Sequence, residues 1–151
     1  MKLERMELVG LEVSDLDAAI VEFGDILGVD FVRIEFDENS QIEELPADEP
    51  PSMQGTRMSM AMDRAGYLEL IQSHPPTTHE RVRNVHFKVD DIEEAIVEMR
   101  AKGYRLVGNV RIGRMREAIF GARELRGLRM CIVQYDGPSM IDAMLDGSGL
   151  G

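Results

Sequence analysis

NVHFKVDDIEEA, residues 84–95, begins with alternating side chains and runs straight into a helical pattern. ELVGLEVSDLDAA, residues 7–19, does the same near the start of the chain. In the later stretch Val85, Phe87 and Val89 alternate with Asn84, His86 and Lys88. In the earlier one Val9, Leu11 and Val13 alternate with Leu8, Gly10 and Glu12. Each reads as a strand with one buried face. Ser14 or Asp15 then caps a helix whose apolar residues Leu16, Ala19, Ile20, Phe23 and Leu27 recur at helical spacing, and Gly28 suits its end. Asp90 or Asp91 caps the second helix, through Ile92, Ala95, Ile96 and Met99, and Gly103 ends it.

Working outward from these anchors, residues 31–36, 57–62 and 67–71 read as strands after the first helix. Residues 104–112, 115–120 and 128–134 read as strands after the second. The acidic, Pro-containing segment 37–55 has no period and is expected to be a loop. The chain therefore says strand–helix–three strands twice. One such unit cannot cover both faces of its sheet, so two must share a core. The expected fold class is α+β: two βαβββ modules forming a curved mixed sheet around a cup. Module one spans 6–72, a linker 73–82 and module two 83–135, in a single domain over 1–140. PSMIDAMLDGSGLG, 138–151, is expected to hold at most a short helix, with residues 141–151 a flexible C-terminal tail. The methionines at 58, 60 and 62 alternate with polar or small residues. They are expected to pack against the module helix, or else to form a soft wall of the cup.

The 151 residues suit one ordinary domain. No run of about 18 apolar residues offers a membrane span, and MKLERMELVG lacks the apolar core of a signal peptide. A single cysteine makes no internal disulfide, so a reducing cytoplasm is the expected location. A net charge of −11 argues against nucleic acid and anionic membrane as partners. The charge is uneven: residues 1–75 carry 17 acids and 5 bases, while residues 100–129 carry nine bases and two acids. The basic stretch is a solvated face, or a site for an anionic small molecule.

These elements and their order resemble the vicinal oxygen chelate superfamily, which includes glyoxalase I, methylmalonyl-CoA epimerase, extradiol dioxygenases and bleomycin-resistance proteins. The resemblance is carried by VGLEVSDLDAAIVEFGDILG, GYLELIQ, VHFKVDDIEEAIVEMRAKGY and AIFGARELRGLRMCIVQ, and it covers residues 6–135. It implies a divalent metal held by a histidine on the first strand and a glutamate on the last strand of each module. In this chain those positions hold Leu8, Asn84, Glu69 and Cys131, so one of the four ligands remains. Leucine offers no donor and Asn84 only a weak one, so no metal or other cofactor is expected. A homodimer is implied by the resemblance.

Side-chain parity aims Glu12, Tyr67, Glu69, Asn84, His86, Lys88, Arg129 and Cys131 at the cup. Glu69 and His86 are the expected catalytic pair, an acid and a base able to move a proton beside a carbonyl. Lys88 or Arg129 would hold a carboxylate, a thioester oxygen or an enolate. Glu12, Tyr67, Asn84 and Cys131 complete the expected substrate-binding set. The expected function is a metal-independent isomerase, epimerase or lyase acting on a small carbonyl, carboxylate or acyl-CoA compound. The alternative is a ligand-sequestering protein of the bleomycin-resistance type, with the same cup and no catalysis.

Overall fold

In the computed structural model, which describes residues 1–51, 53 and 56–150, both anchor stretches form the expected strand and helix. β1 (Leu3–Glu12) leads into α1 (Leu16–Leu27), and β6 (Arg81–Val89) leads into α2 (Ile92–Ala101). Asp15 caps α1 by accepting from the Ala18 N–H, and Asp91 caps α2 by accepting from the Glu94 N–H. Gly28 closes α1 in the left-handed conformation, with φ 65°. A further tie is repeated in both halves. Gln72, at the end of LELIQ, accepts from the Leu16 N–H at 2.8 Å, and Gln134, at the end of MCIVQ, accepts from the Ile92 N–H at 2.8 Å. Each module's last strand thus fixes where its helix starts.

The first half continues through β2 (Phe31–Phe36), β3 (Glu43–Glu44), β4 (Met58–Asp63) and β5 (Leu68–Ser73). The second continues through β7 (Leu106–Ile112), β8 (Met115–Phe120), a short 3₁₀ turn (Ala122–Leu125), β9 (Met130–Gln134) and α3 (Met140–Leu145). All nine strands join one curled sheet in the order β2-β4-β5-β1-β6-β9-β8-β7-β3. At its centre β1 and β6 run antiparallel, while β5 and β9 flank them in parallel. The short β3 lies within the segment read as loop; Glu43 and Glu44 pair with Arg111 and Val110 at the far edge of the second half.

The helices cover the outer face. α1 packs Leu16 and Ala19 on Val13, Ala61 and Leu70. α2 packs Ile92, Ala95, Ile96 and Met99 on Ala118, Phe120 and Ile132. The inner face holds the largest apolar cluster, built on Leu8, Ile34, Phe36, Met58, Met60, Met62, Ile71, Ile112 and Met115. Met58, Met60 and Met62 therefore face the cup and not the module helix, because Ala61 is the β4 residue that meets α1. Both faces of β4 are buried, so alternation of polarity could not choose between them.

The C-terminal segment holds the short helix that the sequence allowed, and it is packed in: α3 buries Met140, Ile141, Ala143 and Met144 in the inner cluster. The six-residue helix is too short to stand on propensity; its apolar face supplies the reason it folds. Ser139 caps it, and Arg64 reaches Asp142 at 3.1 Å. Gly113 (φ 59°) sits directly beneath it. A Cβ there would run into the carbonyl oxygens of Ala143 and Met144. Gly113→Ala is therefore expected to lift α3 and cost about 2 kcal/mol or more in urea unfolding. A midpoint equal to wild type would show that α3 is not seated on this glycine.

Candidate functional site

Glu69 on β5, Asn84 and His86 on β6, Glu117 on β8 and Cys131 on β9 are all buried and line one cavity of the inner face. The pairing brings them together: Glu69 lies opposite Gly10, which lies opposite Asn84, and His86 lies opposite Cys131. Gly10 is needed for this, because a Cβ there would collide with the Asn84 amide oxygen. Met58, Met60, Ile71, Ile112, Met115, Met140 and Met144 supply the apolar wall. The cavity has about 50 Å³ of room for the centre of a water molecule, and about 460 Å³ of empty space counting its open mouth. It takes a small reacting group, with any remainder of a ligand in the mouth.

His86 stands in the middle. Its Nε2 is 2.8 Å from Glu117 Oε2 and 4.0 Å from Glu69 Oε2, while its Nδ1 is buried without a hydrogen-bond partner. Burial by itself would lower the imidazole pKa. The Cys131 sulfur and the Glu69 and Glu117 carboxylates outweigh it and hold His86 well above its ordinary value. Burial pushes the Glu69 carboxyl up; His86 opposes this and Glu117 adds to it. Burial, then Glu117, also raises the Cys131 thiol, and His86 opposes this.

Three residues expected at the site lie elsewhere. Tyr67 is 58% exposed, because β5 begins only at Leu68 and Tyr67 still belongs to the turn, its N–H bound by Asp63. Lys88 has the right parity but lies beyond the cavity, where its Nζ is 3.1 Å from Glu4 and 4.3 Å from the centre of the Tyr135 ring. Glu12 pairs with Arg81 at 3.1 Å and lines a separate pocket at the mouth. Glu69, Asn84, His86, Arg129 and Cys131 do line the cavity.

Two charged lining residues, Glu117 and Arg83, escaped the sequence reading. Glu117 shares parity with Met115 and Ile119 along β8, a signal that was present but masked by the surrounding arginines. Arg83 has the wrong parity for the cup. The β1–β6 register jumps from Gly10↔Asn84 to Leu11↔Val82, leaving Arg83 as a bulge residue whose side chain turns inward.

The four positions that would hold a metal by resemblance do not suit one. Leu8 has no donor and is packed in the inner cluster, and Asn84 offers only a neutral amide. His86, Glu117 and Cys131 do lie within 4.8 Å of one another. Of the three, His86 and Glu117 are joined directly, Nε2 to Oε2 at 2.8 Å. NMR titration should place the His86 imidazole above 6.5, and Glu117→Gln should move it down, since that change removes a neighbouring negative charge. A wild-type value at or below 6.5 would contradict this electrostatic picture.

Among solved structures, the chain is similar to methylmalonyl-CoA epimerase of Streptomyces coelicolor in complex with 2-nitronate-propionyl-CoA, at 19% identity and TM-score 0.65 over 90% of this chain and 100% of that one. A methylmalonyl-CoA epimerase in complex with methylmalonyl-CoA and NH4+ matches at 19% identity and TM-score 0.66, covering 91% and 99%. The epimerase of Mycobacterium tuberculosis matches at 19% and 0.63, covering 89% and 90%. At these identities the likeness speaks for the fold. No protein of curated function matches the sequence. The family model of the Glyoxalase/Bleomycin resistance protein/Dioxygenase superfamily matches residues 9–120, and with the curled sheet and its two βαβ-type halves this places the chain: it belongs to that superfamily.

Proposed function

We propose that this protein is a metal-independent isomerase, epimerase or lyase that moves a proton on the carbon beside a carbonyl. The observation that carries the reading is the convergence of Glu69 and His86, with Oε2 and Nε2 4.0 Å apart in one cavity and both pKa values raised. Glu69, a carboxylate made more basic by burial, takes the proton from carbon. His86, kept as imidazolium, offers its unspent Nδ1–H to the oxygen on which the enolate charge develops. Glu117 fixes the ring through Nε2 and balances its charge. The methionine wall excludes water from the reacting carbon. Structural relatives crystallised with acyl-CoA compounds make a thioester a reasonable carbonyl to try first.

The test is exchange of α-protons of small ketones and thioesters in heavy water, followed by NMR. The wild type is expected to accelerate exchange, and Glu69→Gln to lose about 10²–10⁴-fold. The sign of the pH dependence follows from the two shifts. Activity needs Glu69 ionised and His86 protonated, so kcat/KM rises through a pKa above 4.5 and falls through one above 6.5. Exchange that is unchanged in Glu69→Gln, or absent while ligands still bind, would point to the sequestering alternative.

A further inference from the structure

Two guanidiniums at the mouth of the cup have no partner of their own. Arg83 and Arg129 line the inner cavity and also the outer pocket that Glu12, Ser73 and Arg81 share. Neither makes a salt bridge or side-chain hydrogen bond among the described residues, whereas neighbouring Arg81 is spent on Glu12. Arg129 Nε is buried with its hydrogen unmatched, and a buried donor left unpaired carries a desolvation cost that a ligand would relieve. The β-bulge makes the pair: in regular register Arg83 would sit on the helix side of the sheet, but as the extra residue of β6 it joins Arg129.

We infer that Arg83 and Arg129 form a carboxylate-binding clamp, and that the substrate is a small acid with its carbonyl between the carboxylate and an apolar end. This rests on the proton-transfer reading for the carbonyl's place, and adds the two ends of the molecule. Guanidinium forks match a carboxylate's two oxygens. Across the cavity, Met58, Met60, Met115 and Ile71 offer only apolar contact. Glu69 and His86, whose Nε2 is 4.0 Å from Glu69 Oε2, line the same cavity. The narrow inner space favours a compact branched or linear chain over a ring system.

The probe is α-ketoisocaproate, which has a carboxylate, a ketone and a branched apolar end. Methyl isobutyl ketone is its uncharged counterpart, and inorganic phosphate is a competing anion. Binding is followed by NMR of the methionine methyl groups, and exchange at the methylene beside the ketone is read in heavy water. The acid should bind about tenfold or more tighter than the ketone, the worth of one charge-assisted contact. Arg83→Gln and Arg129→Gln should remove that preference while leaving thermal unfolding and the weak ketone binding unchanged. Glu69→Gln should stop exchange and keep the preference. Failure of the acid to bind, equal binding of acid and ketone, a preference that survives both arginine changes, or phosphate displacing the acid at lower concentration would each overturn the clamp. Acid binding through both arginines without any exchange would leave the clamp standing and remove the proton-transfer reading.

Discussion

The hydrogen bond between His86 Nε2 and Glu117 Oε2, 2.8 Å long and closed off from solvent, is the constraint on which the cup depends. A charged pair inside an apolar cluster is tolerated only when both partners are held in place. Here the holding is done by the sheet: β6 and β8 lie either side of β9, and Cys131 beside His86 is small enough to let Glu117 reach across. Removing one carboxylate would leave an imidazolium facing Glu69 alone. Removing the histidine would leave two carboxylates facing each other in a medium that resists charge. The polar patch is therefore a single unit, and its members cannot drift independently.

The rest of the architecture serves to keep that unit dry and open on one side. Helices α1 and α2 close the outer face, each pinned by a glutamine from its own module's last strand. Helix α3 closes one end of the inner face with Met140 and Met144. A second polar group joins the buried Glu7 and Tyr135 to the half-exposed Arg5. Tyr135 donates to Glu7 at 2.6 Å and accepts from Arg5 at 3.0 Å, and its hydroxyl pKa is pushed up to about 12. Because every member is partnered, that group reads as structure. The open side is the one flanked by Arg83 and Arg129, where the unspent donors are.

The duplicated strand–helix pattern was legible because it is local: the alternation in residues 84–89, the aspartate caps and the terminal glycines are all read within one element. Glu69, Asn84, His86 and Cys131 followed from the same parity. What the sequence hid was decided by contacts across elements. The facing of Met58, Met60 and Met62 depends on Ala61 being the smaller neighbour of α1. The folding of α3 depends on an inner surface that exists only after the sheet curls. Lys88 has the right parity yet lies too far along β6, behind Tyr135. Arg83 shows the limit most sharply, since a one-residue bulge reverses its face and leaves no mark in the sequence.

The proposed function takes His86 as a proton carrier held by carboxylates and not as a metal ligand. Elemental analysis of protein purified from zinc- and manganese-supplemented cultures, with His86→Ala and Glu69→Gln alongside, tests it directly. The account predicts far less than one ion per chain in all three. One ion per chain in the wild type, lost in either variant, would make the trio a coordination site and contradict the account.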